Sequence, residues 1–183
     1  MATAMPQRIR ALIERLAKLS EAEDWAEDLN PAQMTALTYL DRANRFSRAP
    51  SHVAAYSGST RGTVSQTLRA LERKGLVTEF RSESDRRSIS FEVTESGHAL
   101  ASAQKMLDQV LTALPPESAA ALELGLDTVL RDLITARGGK AFGICRTCRH
   151  HLKLGAGGYC QLLAVNLQPA ETGQICHEYE TAG

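Results

Sequence analysis

Cysteine is missing from the chain until residue 145, and then four arrive within the last 39 residues: Cys145, Cys148, Cys160 and Cys176. Aromatic residues are scarce, at 5%, and the formal net charge is zero, so bulk charge argues neither for nor against a nucleic-acid partner. No stretch approaches the roughly 18 apolar residues that a membrane span needs. The start, Met-Ala-Thr-Ala-Met-Pro-Gln-Arg-Ile-Arg, lacks the apolar core of a signal peptide, so the expected compartment is cytoplasmic, with no membrane partner. In a reducing compartment, four clustered cysteines are expected to be metal ligands or redox groups rather than structural disulfides. Enzyme signatures are absent too: no nucleophile–base arrangement, phosphate loop or paired-carboxylate motif stands out. What remains is a chain of 183 residues with ordinary composition, 43% hydrophobic and 23% charged, which suits one domain of typical size plus a small appendage.

Local patterns divide it. Ile9, Leu12, Ile13, Leu16 and Leu19 recur at the spacing of an amphipathic helix over residues 6–19. Asn30-Pro31 predicts a second helix, with Asn30 as N-cap and Pro31 at the first helical position. Ser51 is expected to cap a short helix over about 51–57, and Ser57-Gly58-Ser59-Thr60 to break it and open another, which stops at Gly75. Two helices so tightly linked, followed by Leu76-Val77, form a helix-turn-helix leading into a strand. Ile89, Phe91 and Val93 alternate with Ser90, Glu92 and Thr94, the period of a returning strand, so a β-hairpin with a charged tip is predicted. After Thr94-Glu95-Ser96-Gly97 one long helix is expected, with Leu100, Ala103, Leu107, Val110, Leu111 and Leu114 on its stripe. A last helix over about 117–136 is expected to bury Leu122, Leu126, Val129, Leu130, Leu133 and Ile134. Gly138-Gly139 marks the boundary between residues 1–137 and the four-cysteine segment, 138–183.

The charge that bulk composition hides is local. From Arg42 to Arg87 ten basic residues face four acids, Glu72, Glu79, Glu83 and Asp85. Such a face on a neutral protein suits a specific DNA binder. Stepping about 100° per residue around the second helix of the motif places Val64, Leu68 and Leu71 on one buried stripe. Gly62, Gln66, Arg69 and Arg73 fall opposite, flanked by Thr63 and Ser65. Gln can pair with adenine and Arg with guanine, while Ser and Thr reach bases or phosphates. Thr60 and Arg61 sit at the helix start, where phosphate contact is favourable. In the hairpin tip, Arg81, Arg86 and Arg87 are candidates for a minor groove, with Asp85 as an acceptor that orients Arg87.

These stretches resemble the MarR (multiple antibiotic resistance regulator) family. The resemblance rests on Asn30-Pro31-Ala32-Gln33-Met34, on Thr60 to Leu68 with Leu71-Glu72-Arg73-Lys74-Gly75-Leu76-Val77, and on Asp85-Arg86-Arg87-Ser88 followed by Thr94-Glu95-Ser96-Gly97. It covers about residues 5–137. It implies a mainly α fold with a β-hairpin wing, a winged helix-turn-helix, assembled as a homodimer through the first helix and the last two. It further implies double-stranded DNA with a palindromic operator as partner, the half-sites one turn, roughly 34 Å, apart.

The cysteines follow the spacing Cys-x2-Cys-x11-Cys-x15-Cys. A Cys-x2-Cys knuckle lets two thiolates approach one inorganic centre, but structural zinc usually takes two such knuckles. Phe142, Ile144, Leu152, Leu154, Tyr159, Leu162, Leu163, Ile175 and Tyr179 supply an apolar shell that suits a shielded cluster. The arrangement is similar to small iron–sulfur domains, and an iron–sulfur cluster is expected, 4Fe–4S rather than 2Fe–2S. Zinc and metal-free redox thiols are the alternatives. His150, His151 and His177 are further candidate ligands, and Arg146 and Arg149 could offset the negative charge of a tetrathiolate site. The expected function is a DNA-binding regulator whose affinity follows that cluster, sensing redox state, oxygen or iron. The alternative is a repressor that answers to a small molecule and carries a structural zinc.

Overall fold

The structure is a computed structural model and describes residues 4–24, 28–81 and 89–182. Helix α1, Ala4–Asp24, carries the predicted apolar stripe. Helix α2, Pro31–Arg42, begins with a capping box: Asn30 Oδ1 accepts from the Gln33 amide at 2.9 Å and Gln33 Oε1 from the Asn30 amide at 3.2 Å. Helix α3, Pro50–Ser57, starts one residue earlier than expected. Ala49 is the cap residue and Pro50 takes the first helical position, where its missing N–H and fixed φ cost nothing, so Ser51 lies inside the helix. Helix α4, Arg61–Arg73, follows Gly58 and Thr60 and ends before Gly75, whose φ of +69° is the left-handed turn that glycine adopts without strain.

Strands β1, Val77–Arg81, and β2, Ile89–Val93, pair antiparallel, with Val77 opposite Val93 and Arg81 opposite Ile89. The hairpin tip between them, with Asp85, Arg86 and Arg87, lies outside the described residues. The long helix expected after Gly97 is two: α5, Glu95–Ala101, and α6, Met106–Thr112. The Asp108 carboxylate accepts from the Lys105 amide at 3.1 Å, and Glu23 on α1 accepts from the Met106 amide at 3.0 Å. Each acceptor satisfies an amide that an uninterrupted helix would direct to its own carbonyls, and so fixes a new helix start.

Helix α7, Pro116–Ala136, buries none of its residues, against expectation. Leu122, Leu126, Val129, Leu130 and Leu133 are exposed, Ile134 is half-buried, and the stripe on α1 is exposed as well. The reason is physical: an apolar stripe is buried only where another element covers it, and among the described residues none does. No helix among them is long and apolar enough to cross a membrane.

Beyond Gly138 the described residues form two small antiparallel sheets. β3, Gly143–Ile144, pairs with β7, Ile175–Cys176; β4, His151–Leu154, β5, Gly157–Cys160, and β6, Val165–Leu167, make a meander. This segment packs back onto the helix-turn-helix. Ile175 belongs to the same hydrophobic core as Leu37 and Leu40 of α2, Val53 of α3, Val64, Leu68 and Leu71 of α4, and Phe91 of β2. Phe142 sits edge-on to Tyr39 and Tyr56, at 5.9 and 5.3 Å between ring centroids.

Candidate nucleic-acid interface and four-cysteine site

Helix α4 turns two unlike faces outward and inward. Val64, Leu68 and Leu71 are buried, which anchors the helix and leaves Arg61, Gly62, Thr63, Gln66, Arg69 and Arg73 exposed, with Ser65 half-buried. Thr60 is the N-cap: its hydroxyl accepts from the Thr63 amide at 3.2 Å and lies 2.9 Å from the Thr63 hydroxyl. Its side chain therefore sets the helix start, while Arg61 stands free beside the amides of the first turn. Among the described residues Arg61, Arg69 and Arg73 form no salt bridge and Gln66 makes no side-chain hydrogen bond, so this face holds unengaged donors. Arg81, at the end of β1, is drawn to Glu79 at 2.7 Å.

Other cations of the basic segment are engaged within the fold. Arg48 donates to the Ala43 carbonyl at 3.0 Å, Lys74 pairs with Asp28 at 3.3 Å, and Arg45 pairs with the buried Glu171 carboxylate at 2.6 Å. Sequence counting placed all three on one basic face.

The four cysteines come from separate elements. Cys145 and Cys148 bracket a single tight helical turn, closed by the Cys148 amide donating to the Cys145 carbonyl at 3.1 Å. Cys160 ends β5 opposite His151, and Cys176 lies on β7 opposite Gly143. All four thiols are free; Cys145 and Cys176 are buried, Cys148 and Cys160 half-buried. Burial first, then Cys176, Cys160 and Cys148 in turn, push the Cys145 thiol up to about 12, so all three partners act electrostatically on it. Cys176 is also raised by burial, opposed by hydrogen bonds from the Asn44 and Ser47 side chains. Among the described residues no three Cys, His, Asp or Glu side chains close on a single metal ion.

The histidines part company. His151 leans over Gly158, where any side chain would collide with its ring, and its Nε2 is buried without a hydrogen-bond partner. His150 Nε2 is also buried without a hydrogen bond, 3.4 Å from the Glu180 carboxylate that Arg149 shares at the same distance. His177 is engaged elsewhere: its Nε2 lies 3.1 Å from Glu178 and its Nδ1 3.4 Å from the Ser47 hydroxyl.

The residues that sequence reading missed are Asn44 and Ser47, both almost wholly buried in the connection from α2 to α3. The Asn44 amide donates to the Ile175 carbonyl at 2.9 Å, the His177 amide to the Ser47 hydroxyl at 3.0 Å, and Tyr39 Oη to the Ser47 carbonyl at 2.7 Å. Their only sequence signal is a polar run, Asp41-Arg42-Ala43-Asn44-Arg45, with no helix or strand period. A cavity of about 710 Å³ lies nearby, walled by Tyr56, Leu133, Ile134 and Phe142 with Arg42 and Arg137 at its edge.

Comparison with known proteins follows the same lines. Residues 27–88 match the model of the MarR family. The transcriptional repressor MprA of Escherichia coli (strain K12) is 30% identical over 73 residues, 40% of this chain and 42% of that protein. The chain thus spans less than half the length of this curated relative. Three solved structures share the fold: the S. aureus MepR–DNA complex (TM-score 0.56, 23% identity, 71% of this chain and 98% of that one), Streptococcus pneumoniae FabT in complex with DNA (0.60, 23%, 74% and 99%), and the transcriptional regulator BldR of Sulfolobus solfataricus (0.58, 18%, 72% and 99%). These likenesses establish a winged-helix fold of the kind seen in those regulators.

Proposed function

We propose that this chain is a MarR-type, sequence-specific DNA-binding regulator, a homodimer on a palindromic operator, whose affinity follows an inorganic group held by Cys145, Cys148, Cys160 and Cys176. One observation carries the link between the two halves: Ile175, beside Cys176, packs in the same hydrophobic core as Val64, Leu68 and Leu71 of α4. A change at the cysteines therefore acts on the seat of the helix that presents Gln66 and Arg69.

Several features support the inorganic group. Cys176, Cys160 and Cys148 all bear on the Cys145 thiol, and four cysteines in the spacing Cys-x2-Cys-x11-Cys-x15-Cys supply the thiolates that an iron–sulfur cluster takes. When bound, the group supplies a change of charge at the thiolates. The chain's own residues hold those thiols in apolar surroundings, so filling the site must displace protons from them. The homodimer is supported by the uncovered stripes of α1 and α7.

Anaerobic purification, iron and acid-labile sulfide analysis, and titration of a duplex selected from a random pool test the reading. Iron with sulfide in wild type, its loss in Cys145→Ser and Cys176→Ser, and changed duplex affinity in both are expected. Equal affinity in wild type and both variants would reduce the site to a structural accessory. The alternative is a small-molecule-responsive repressor with structural zinc, for which the cavity of about 710 Å³ would offer a ligand site; one zinc per chain and no colour would select it.

A further inference from the structure

Two grips hold the cysteine lobe to the rest of the fold, one on the connection from α2 to α3 and the other on α7. We propose that the lobe is a bracket between the helix that dimerises and the helix that reads DNA. Arg131 and Tyr179 are its positioning residues, and they set the distance between the two reading helices of the dimer. This rests on the dimeric, DNA-binding part of the reading above and needs no occupant of the cysteine site.

The bracket matters because packing leaves α7 loosely placed. Helix α5 stays with the helix-turn-helix, against α2 and β2, whereas α6 leads on to α7. Residues 102–105, between α5 and α6, are therefore a joint between the two halves. Across that joint α7 does not close on the helix-turn-helix. Leu130, Leu133 and Ile134 of α7 instead line, with Tyr56 of α3, the cavity of about 710 Å³. Two close-packed helices would fix each other's angle; two that share an open cavity leave that angle to whatever spans it.

At the α7 end the Arg131 guanidinium lies over the Tyr179 ring, 5.9 Å from its centroid, and pairs with Asp127 one turn earlier at 2.7 Å. Tyr179 is only 7% exposed, and its ring lies on Gly143, where any side chain would collide with it. The exit from α7 is fixed too. Gly138 takes a φ of +67°, and the amides of Gly138 and Gly139 donate to the Thr135 and Ile134 carbonyls at 2.9 and 3.0 Å. Lys140 then pairs with Glu178 at 2.9 Å. At the other end Arg45 holds Glu171, and Ile175 lies in the core with Val64, Leu68 and Leu71 of α4. Ile175 and Tyr179 are four residues apart, at most about 14 Å of extended chain, so one short segment reaches both helices. A tie this short transmits position.

The test compares wild type with Arg131→Ala, with a chain carrying three glycines inserted between Gly139 and Lys140, and with both changes together. Asp132→Ala, exposed on the same helix, is the control. All are full length and purified without oxygen. Fluorescence anisotropy measures binding to the selected duplex and to versions with the half-sites one base pair closer or further apart. Each base pair shifts a half-site by about 3.4 Å and turns it by about 35°. Wild type and control are expected to favour the selected spacing by about tenfold, the scale of one mismatched base pair, and the combined variant by no more than about threefold. Each change alone is expected to fall between. A general loss of stability weakens all spacings alike; only a loss of positioning flattens the preference. Wild-type discrimination in the combined variant, with wild-type circular dichroism, overturns the proposal, as does a wild type indifferent to spacing. A wild type that is monomeric or selects no duplex overturns the reading beneath it as well. Amide hydrogen exchange over residues 102–106, without DNA, is a second measurement: faster exchange in the combined variant is expected, and equal exchange counts against the bracket.

Discussion

Truncating Ile175 to alanine removes most of an apolar side chain only 6% exposed, at the point where the cysteine lobe enters the core of the helix-turn-helix. Truncations of this kind cost about 2–5 kcal/mol, and the lower end applies where neighbours can close the gap. Phe142 and Ile144 pack against the same core while partly exposed, so they can relax into the space, and about 2–3 kcal/mol is expected. A domain of this kind is stable by about 5–15 kcal/mol, so the loss is a sizeable share of the total. Urea unfolding followed by far-ultraviolet circular dichroism measures it, with Leu162→Ala as control. Leu162 lies in the same lobe but is 47% exposed, and its truncation should stay within about 0.5 kcal/mol. Because one core joins lobe and helix-turn-helix, unfolding in a single transition is expected for wild type. The reasoning is refuted if Ile175→Ala shifts stability no more than the control does, or if the lobe melts separately and leaves the α-helical transition unchanged.

The exposed faces carry three further predictions. Gln66→Ala and Arg69→Ala should each weaken binding to the selected duplex by about 1–3 kcal/mol and relax base preference, read by fluorescence anisotropy against single-base variants. Arg73→Ala should weaken all sequences alike and reduce the salt slope by about one, and a base-specific loss there would reverse the assignment. Leu126→Glu combined with Leu130→Glu should yield a monomer of 19.9 kDa by sedimentation, where wild type sediments as a dimer; a wild type that is already monomeric at working concentrations excludes this interface.

How much could be read beforehand depended on where the deciding contacts lay along the chain. Asn30 and Gln33 cap their own helix, Val64, Leu68 and Leu71 repeat within one helix, and Ile89, Phe91 and Val93 alternate within one strand, so each was legible locally. The break between α5 and α6 was not, because the apolar stripe runs through it. One of the two acceptors that set the new start is Glu23, on a helix far earlier in the chain. The exposure of α7 was equally hidden: periodicity shows that a stripe exists, not which surface covers it.

The basic segment shows the same limit more sharply, and its resolution bears on function. Counted along the sequence, Arg45 looked like one more cation for DNA, eight residues from Val53 and the helix-turn-helix. In the fold it donates to Glu171 at 2.6 Å and to the Asn166 carbonyl at 3.1 Å, both in the cysteine lobe, and Glu171 in turn accepts from the Gln168 amide at 2.7 Å. A carboxylate so deeply buried needs its cation, since removing one partner of such a pair leaves an uncompensated charge. Positive charge near α4 is thus divided between two tasks. Arg61, Arg69 and Arg73 stay unengaged on the face that suits DNA, while Arg45 clasps the lobe that holds the cysteines. Asn44 and Ser47, on either side of Arg45, complete that clasp through the backbone of Ile175 and His177. A lobe this small gains from such a clasp directly: the ion pair and the backbone hydrogen bonds on either side of it hold the cysteine segment against the connection between α2 and α3.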